Sequence, residues 1–380
     1  MALYSGAPMK ELARRGKGVP TTAPEASIVI PVLRRIDLLK PCLAAISQLA
    51  TPPTFEVIVV ANGSPADVVA ELSEREDIVL VSSPVNLGFA GGCNWGARFA
   101  RGRFLVLLND DTEVEETWLR ALLGVAASDP AIAAVGSRIM SFDGSLQEAG
   151  SVLWRDGGTF QVGHGLPADT PLYQAPRSVD YCSACGLLVR SPAWREVGGF
   201  DEDYYPAYHE DVDLCLKLRA AGYGVLYAPA ARLRHHQGAS ASAIPLRTFA
   251  AIRNGAHFCA KWSDVLVEYD LPPSQQNLAE AVEAAVKRGA ERRGPPRMPR
   301  PLAAGDPGSP TEIEALDRQI RALQSEGRLK DAFVSELQQE LSRRRQPRAM
   351  LERLRPLARH IRRVSRRAGP TAGPPPDKDC

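Results

Sequence analysis

Phe104-Leu-Val-Leu-Leu-Asn-Asp-Asp-Thr112 is the stretch whose reading decides the fold. Five consecutive apolar residues, Phe104 to Leu108, predict a strand buried on both faces, the pattern of a parallel sheet. That strand ends abruptly in Asn109, Asp110 and Asp111. Open α/β sheets bind ligands at the carboxyl ends of their strands, where loops turn polar groups into a crevice. Two adjacent carboxylates there repel each other unless a cation or hydrogen-bond donors compensate them. A hard divalent cation shared with a substrate diphosphate is an economical solution. The bland alternative is an acidic turn capping the next helix, with Thr112-x-x-Glu115 as its capping box.

Upstream, Ser27-Ile-Val-Ile-Pro-Val32, Glu56-Val-Ile-Val-Val60 and Ile78-Val-Leu-Val81 predict three further strands, with Pro31 tolerable only at a strand end. Leu38, Leu39, Cys42, Leu43, Ile46 and Leu49 recur at helical spacing, and a second helix is predicted over 65–75. Ala61-Asn-Gly-Ser64 closes the second strand as a turn, and Asn86-Leu-Gly-Phe-Ala-Gly-Gly-Cys-Asn94 opens a helix reaching about Ala100. Such alternation with short joints predicts a parallel, doubly wound layer. The Gly-rich fingerprint of a dinucleotide-binding fold is missing after the first strand, which argues against NAD and FAD. From about Ala131 the pattern loosens. It then predicts a strand over 181–190, an amphipathic helix over 210–221, a short strand over 223–227 and a closing helix over 253–262.

The 44% hydrophobic and 24% charged shares are those of an ordinary globular protein. A net charge of +2 hides an asymmetry, because residues 343–367 carry eleven arginines against the single acid Glu352. No run reaches transmembrane length and the N-terminus lacks a secretory apolar core, so a cytoplasmic location is expected. Cys182-x-x-Cys185 is a lone pair among seven scattered cysteines, which argues against zinc and for packing.

The predicted organisation is a disordered arm (1–25), an α/β domain (26–268), a Pro/Ala-rich linker (269–310), a short coiled coil (311–342) and an Arg-rich tail (343–380). Ile313, Leu316, Ile320, Leu323, Val334, Leu337 and Leu341 share one heptad frame, which offers a route to a homo-oligomer. Leu351, Leu354, Leu357 and Ile361 run along one side of the tail, so peripheral attachment to anionic membrane is expected. Nucleic acid is not expected as a partner, since no recognition fold or stacking aromatics accompany the arginines.

Asn62-Gly63-Ser64, Asn86 to Asn94, Asn109 to Asp111, and Glu210-Asp211 with His235 all fall at strand ends or loop junctions of one sheet. Together with Gly198-Gly-Phe-Asp-Glu202, Tyr208-His-Glu-Asp-Val-Asp-Leu-Cys-Leu-Lys-Leu-Arg219 and His235-x-x-Gly-x-Ser240, these strings resemble the family 2 glycosyltransferases. Within that family, Leu146-Gln-Glu-Ala-Gly150 with Trp154 is similar to bacterial rhamnosyltransferase-type enzymes of surface polysaccharide assembly.

The resemblance implies a GT-A fold with a mixed, Rossmann-like sheet and an inverting transfer. The donor is a nucleoside diphosphate sugar, with dTDP-rhamnose the leading expectation, and the acceptor a glycan or lipid-linked molecule. Asp111 and His235 are implied to hold Mg²⁺ or Mn²⁺, with His236 an alternative to His235. Asp211 is the implied catalytic base, and Asp213 falls on another helix face as a structural residue. Donor contacts are implied at Pro31, Val32, Asn62, Asn86, Gly88, Asn94 and Asp110, and acceptor contacts at Glu210, Cys185 and Gly186.

Two departures from the family pattern stand out. Ala61 replaces an Asp that often contacts the base, and Ala184-Cys-Gly186 reorders the family's Gly-Ala. No processive QxxRW-like string follows His235, which implies single addition. Two rival readings are a non-catalytic scaffold acting through coiled coil and tail, and a sugar nucleotidyltransferase. The latter would want a Gly-rich basic loop where Val32-Leu-Arg-Arg35 stands.

Overall fold

The computed structural model describes residues 13–236, 244–274 and 277–291. Its elements begin with β1 (Ala13–Arg15), β2 (Ala26–Val32), α1 (Ile36–Ser47), β3 (Phe55–Asn62), α2 (Ala66–Ser73) and β4 (Val79–Ser83). There follow α3 (Gly88–Ala97), β5 (Phe104–Leu108), β6 (Thr112–Val114), α4 (Trp118–Ser128), β7 (Ile132–Met140), β8 (Leu146–Glu148), β9 (Ser151–Leu153) and β10 (Thr159–Gln161). The remainder is β11 (Arg177–Ser178), β12 (Gly186–Arg190), α5 (Ser191–Glu196), α6 (Glu210–Ala220), β13 (Gly224–His235), α7 (Ile244–Lys261), α8 (Ser263–Leu266) and α9 (Leu278–Glu291).

Strand alternation builds two cores. On β5, Phe104, Val106 and Leu108 enter one core while Leu105 and Leu107 enter the other. β3 divides likewise, Val57 and Val59 against Ile58 and Val60. Helices α1, α2 and α4 cover the first face through Leu39, Leu72 and Trp118. Helices α3, α6 and α7 cover the second through Cys93, Leu216 and Phe258. Burial on both faces explains the unbroken apolar runs in the sequence.

The sheet order is β1-β4-β3-β2-β5-β12-β7-β13-β11, with β6 pairing β13 and β8 pairing β7. Strands β2 to β5 are parallel, as the alternation predicts, but β12 enters antiparallel to both β5 and β7. The sheet is therefore mixed, and the residues just before β12 arrive at the edge where β2, β3 and β5 end. A second, small sheet is the β9–β10 hairpin.

Several expectations are corrected. Thr112 starts strand β6, and α4 begins at Trp118 with no side-chain cap, so the capping box does not form. The predicted short strand over 223–227 continues to His235, because a register irregularity between Ala228 and Arg232 lets β13 keep pairing β7 and then add β6. Ala13–Arg15, placed in the disordered arm, pairs with Val79–Val81. Within the predicted linker, Leu278–Glu291 is a helix that packs on β9 and β11 and buries Val282 and Ala285. The coiled coil at 311–342 and the Arg-rich tail at 343–380 lie outside the described residues. No described helix is long and apolar enough to cross a membrane.

Candidate active site

The carboxyl ends of β2, β3 and β5, the loop before β12, the start of α6 and the end of β13 surround one pocket of about 710 Å³. That is a ligand-sized volume. Leaving β5, Asn109 donates its backbone N–H to the Cys185 carbonyl at 3.1 Å, which ties this strand end to the β12 loop. The Thr112 hydroxyl bonds back to the Asn109 carbonyl at 2.8 Å, closing a tight turn that turns Asp110 and Asp111 toward the pocket.

The register of β13 against β6 sets His235 opposite Thr112, and His236 N–H donates to the Asp111 carbonyl at 3.0 Å. His235 Nε2 then lies 3.2 Å from Asp111 Oδ1, the carboxylate being 3% exposed. His236 faces away and stacks on Phe142 with centroids 3.8 Å apart, as strand alternation requires. Of the two adjacent histidines, His235 is thus the one beside the carboxylate.

Asp111 and His235 fit a divalent cation by the chemistry of their donors. One carboxylate oxygen and one imidazole nitrogen stand about as far apart as neighbouring ligands at a metal with bonds of about 2.1 Å. Two protein ligands leave positions for a diphosphate and water, the habit of Mg²⁺ sites. Among the described residues no group of three or more His, Cys, Asp or Glu could hold a metal, so an ion here would draw its remaining ligands from water and substrate. Cys182 and Cys185 are buried thiols pushed well up by burial, and they pack rather than ligate.

The opposite wall is the start of α6. Tyr208 and His209 adopt left-handed φ values of 82° and 73°, strained for non-glycine residues. Asn254 of α7, fully buried, holds this turn by donating to the carbonyls of Tyr204 at 2.7 Å, Ala207 at 2.8 Å and Tyr208 at 3.1 Å. The chain then enters α6 with Glu210 buried and Asp211 partly open to the pocket. Asp211 Oδ1 accepts the Val212 N–H at 2.8 Å. Burial nevertheless pushes the Asp211 carboxyl up to about 6, against the pull of that bond. Glu210 rises well above the usual range through burial and the neighbouring Asp211 charge, and Glu148 rises to about 7, mainly through burial.

Asp213, two residues on, is different: fully buried, it accepts from Tyr204 and Trp262 and pairs with Lys261 at 2.7 Å. It braces α6 against α7.

The family model described as Glycosyl transferase family 2 matches residues 27–194, which contain Asp110 and Asp111 but neither Asp211 nor His235. An N-acetylglucosaminyl-diphospho-decaprenol L-rhamnosyltransferase of Mycobacterium tuberculosis is 30% identical over 232 residues, covering 55% of this chain and 75% of that one. The chain belongs to glycosyltransferase family 2. An O-antigen biosynthesis protein of Myxococcus xanthus is 32% identical over 268 residues, 62% of this chain and 20% of that one. The chain thus spans only a fifth of that relative's length. The crystal structure of GalNAc-T7 with UDP, GalNAc and Mn²⁺ shares the fold, with TM-score 0.52 and 14% identity over 79% of this chain and 55% of that one.

In this family 2 glycosyltransferase the residues singled out for the donor divide in two. Pro31, Val32, Asn62, Asn86, Gly88 and Asp110 line the pocket. The Asn62 amide is nonetheless engaged, donating to Gly88 O at 2.9 Å and accepting Leu87 N–H at 2.8 Å, so it shapes the floor. Gly88, at φ 74°, lies so close to the Pro206 carbonyl that a Cβ would come within 2.8 Å. Asn94 is a correction. Its amide donates to Phe200 O and Glu202 Oε1 and accepts Phe200 N–H, which fastens α3 to the Gly198–Glu202 loop away from the pocket.

On the acceptor side, Glu210 and Cys185 line the pocket, but Gly186 does not. Gly186 sits inside β12, where a Cβ would strike Leu233 and Ser137, so its smallness serves sheet packing. Three residues give no functional signal in the sequence. Asn254 carries no motif, whereas Gln147 and Glu148 stood inside a quoted string without a role.

Proposed function

We propose that this glycosyltransferase adds a single sugar from a nucleoside diphosphate donor to a hydroxyl of a glycan or lipid-linked acceptor, with inversion. The observation that carries this reading is the placement of Asp111 and His235 on one wall of the pocket and Asp211 on another. The donor diphosphate would lie against Asp111 and His235, and the acceptor would enter beside Asp211, Glu210 and Cys185. L-rhamnose is the proposed sugar, supported by the name of the Mycobacterium tuberculosis relative.

Asp211 takes the proton of the acceptor hydroxyl as that oxygen bonds to the anomeric carbon. The bond from that carbon to the diphosphate oxygen breaks on the opposite face, and the nucleoside diphosphate leaves. A carboxyl near 6 is ionised at neutral pH yet basic enough to accept a proton, the compromise general bases favour. A Mg²⁺ or Mn²⁺ held by Asp111 and His235 would supply neutralisation of the charge gathering on the leaving diphosphate.

Nucleotide release from dTDP-, UDP- and GDP-sugars by the wild-type chain with Mn²⁺, set beside Asp211→Asn, tests the proposal. Turnover of one donor, lowered by ~10²-fold or more in Asp211→Asn with Mn²⁺ binding retained, is expected. Equal turnover by both proteins would remove Asp211 from the mechanism.

A further inference from the structure

We infer that Gln147 is a positioning residue that fixes the tautomer of His235 and presents its Nε2 lone pair to the divalent cation. The inference rests on the reading of Asp111 and His235 as the metal-holding pair. Gln147 spends both ends of its amide on one residue. Its Nε2 donates to the His235 carbonyl at 2.7 Å, and its Oε1 lies 3.0 Å from His235 Nδ1. The first bond settles the second. A carbonyl can only accept, so the amide nitrogen faces it, and the amide oxygen must face the ring. An oxygen there can only accept, which requires the proton on Nδ1.

The other ring nitrogen agrees. Asn109 Nδ2 stands 3.3 Å from His235 Nε2, a donor whose hydrogen bond the Nε2 lone pair accepts until a cation takes its place. With its proton on Nδ1, His235 turns the Nε2 lone pair toward Asp111 Oδ1 at 3.2 Å. Two acceptors face each other at that spacing, and a cation between them would meet both. Metal-bound histidines commonly donate their second N–H to an oxygen acceptor, which fixes the tautomer and ring plane.

Backbone geometry supplies the aim. β8 pairs β7 with Glu148 opposite Ile139 but Leu146 opposite Met140, so Gln147 is the extra residue of a bulge. Bulges redirect a side chain and recur beside active sites. Gln147 is 3% exposed, so an amide buried in this way needs partners, and both of its partners belong to His235.

Imidazole ¹⁵N NMR of the full-length, metal-free chain at pH 8 reads the tautomer, with His235 assigned by the signal lost in His235→Ala. Titration with Mn²⁺ alone, followed by EPR of the free ion, reads affinity without turnover. Wild type should show protonated Nδ1 and bare Nε2. Gln147→Met, similar in size but without an acceptor, should lose that tautomer preference and bind Mn²⁺ ~10–100-fold more weakly. Gln147→Glu keeps the acceptor, so it should keep the tautomer and lose less than about tenfold. Wild-type His235 protonated on Nε2 overturns the inference even if Gln147→Met fails to fold. A folded Gln147→Met with wild-type tautomer and affinity overturns it too, while leaving the metal site standing. Wild type that binds no Mn²⁺ overturns the metal reading and the inference with it.

Discussion

Glu56 at one edge of the sheet and Asp211 at the other are both acids set among protein atoms, and they are treated in opposite ways. Glu56 opens β3 and is 1% exposed. It accepts from Ser27 Oγ at 2.7 Å, from Arg101 N–H at 2.9 Å and from the guanidinium groups of Arg15 and Arg101. Although burial opposes it, these donors hold the Glu56 carboxyl below the usual range. At the other edge, Asp211, Glu210 and Glu148 form no ion pair among the described residues, and all three are raised. Compensated burial fastens β1, β2, β3 and the approach to β5 together. Uncompensated burial stores proton affinity where a substrate can use it.

Removing the charge from the pocket edge should disturb chemistry first. Asp111→Ala should lower turnover roughly 10³-fold, the scale of several kcal/mol of lost charge stabilisation, with thermal stability held or raised. Nucleotide release at saturating Mn²⁺ measures this, and a loss below about tenfold would contradict the assignment.

A smaller effect sharpens the same contrast through pH. With Asp211 near 6, about a tenth of it is ionised at pH 5, so kcat/KM should fall about tenfold from its neutral plateau. A profile flat from pH 5 to 7 would show that no such carboxylate limits the reaction.

At the other edge the expected change is in stability alone. Glu56→Gln puts an amide N–H₂ among arginine donors and should cost about 2–4 kcal/mol, with turnover unchanged at a permissive temperature. The sign with pH follows from the lowered pKa. The contribution of Glu56 is present above its unfolded value of about 4.3 and is lost as pH falls through its folded value. The gap between wild type and Glu56→Gln, read as Tm, should therefore narrow in acid. A gap that widens in acid would reverse the assignment.

Much of the pocket was legible because parallel strands betray themselves twice, by apolar runs and by the polar residues at their ends. Asp110, Asp111 and Asp211 lie where those ends and the α6 start predicted. Illegible features depend on pairing across long sequence distances. Thr112–Val114 is too short to announce a strand and exists because it meets Leu233–His235. The bulge that aims Gln147 depends on how β8 registers with β7. Asn94 and Gly186 misled for a related reason. An asparagine that fastens a loop and a glycine that admits a neighbouring side chain look the same in sequence as ones that meet a ligand. Asn254 gives no signal, because its three carbonyl partners are gathered only by the folded turn at 204–208.

The central claim is that the two edges hold acids for opposite purposes, and one paired measurement tests it directly. Tm and turnover of wild type, Asp211→Asn and Glu56→Gln would be measured side by side at pH 7.5 with Mn²⁺ and the accepted donor. For Asp211, a pKa raised to about 6 means that ionisation costs folding stability above that pH and that the cost vanishes as pH falls toward the unfolded value of about 3.9. Asp211→Asn should therefore be at least as stable as wild type and nearly inactive, while Glu56→Gln should be less stable and fully active. An Asp211→Asn protein that melts earlier than wild type, or that turns over normally, would contradict the account.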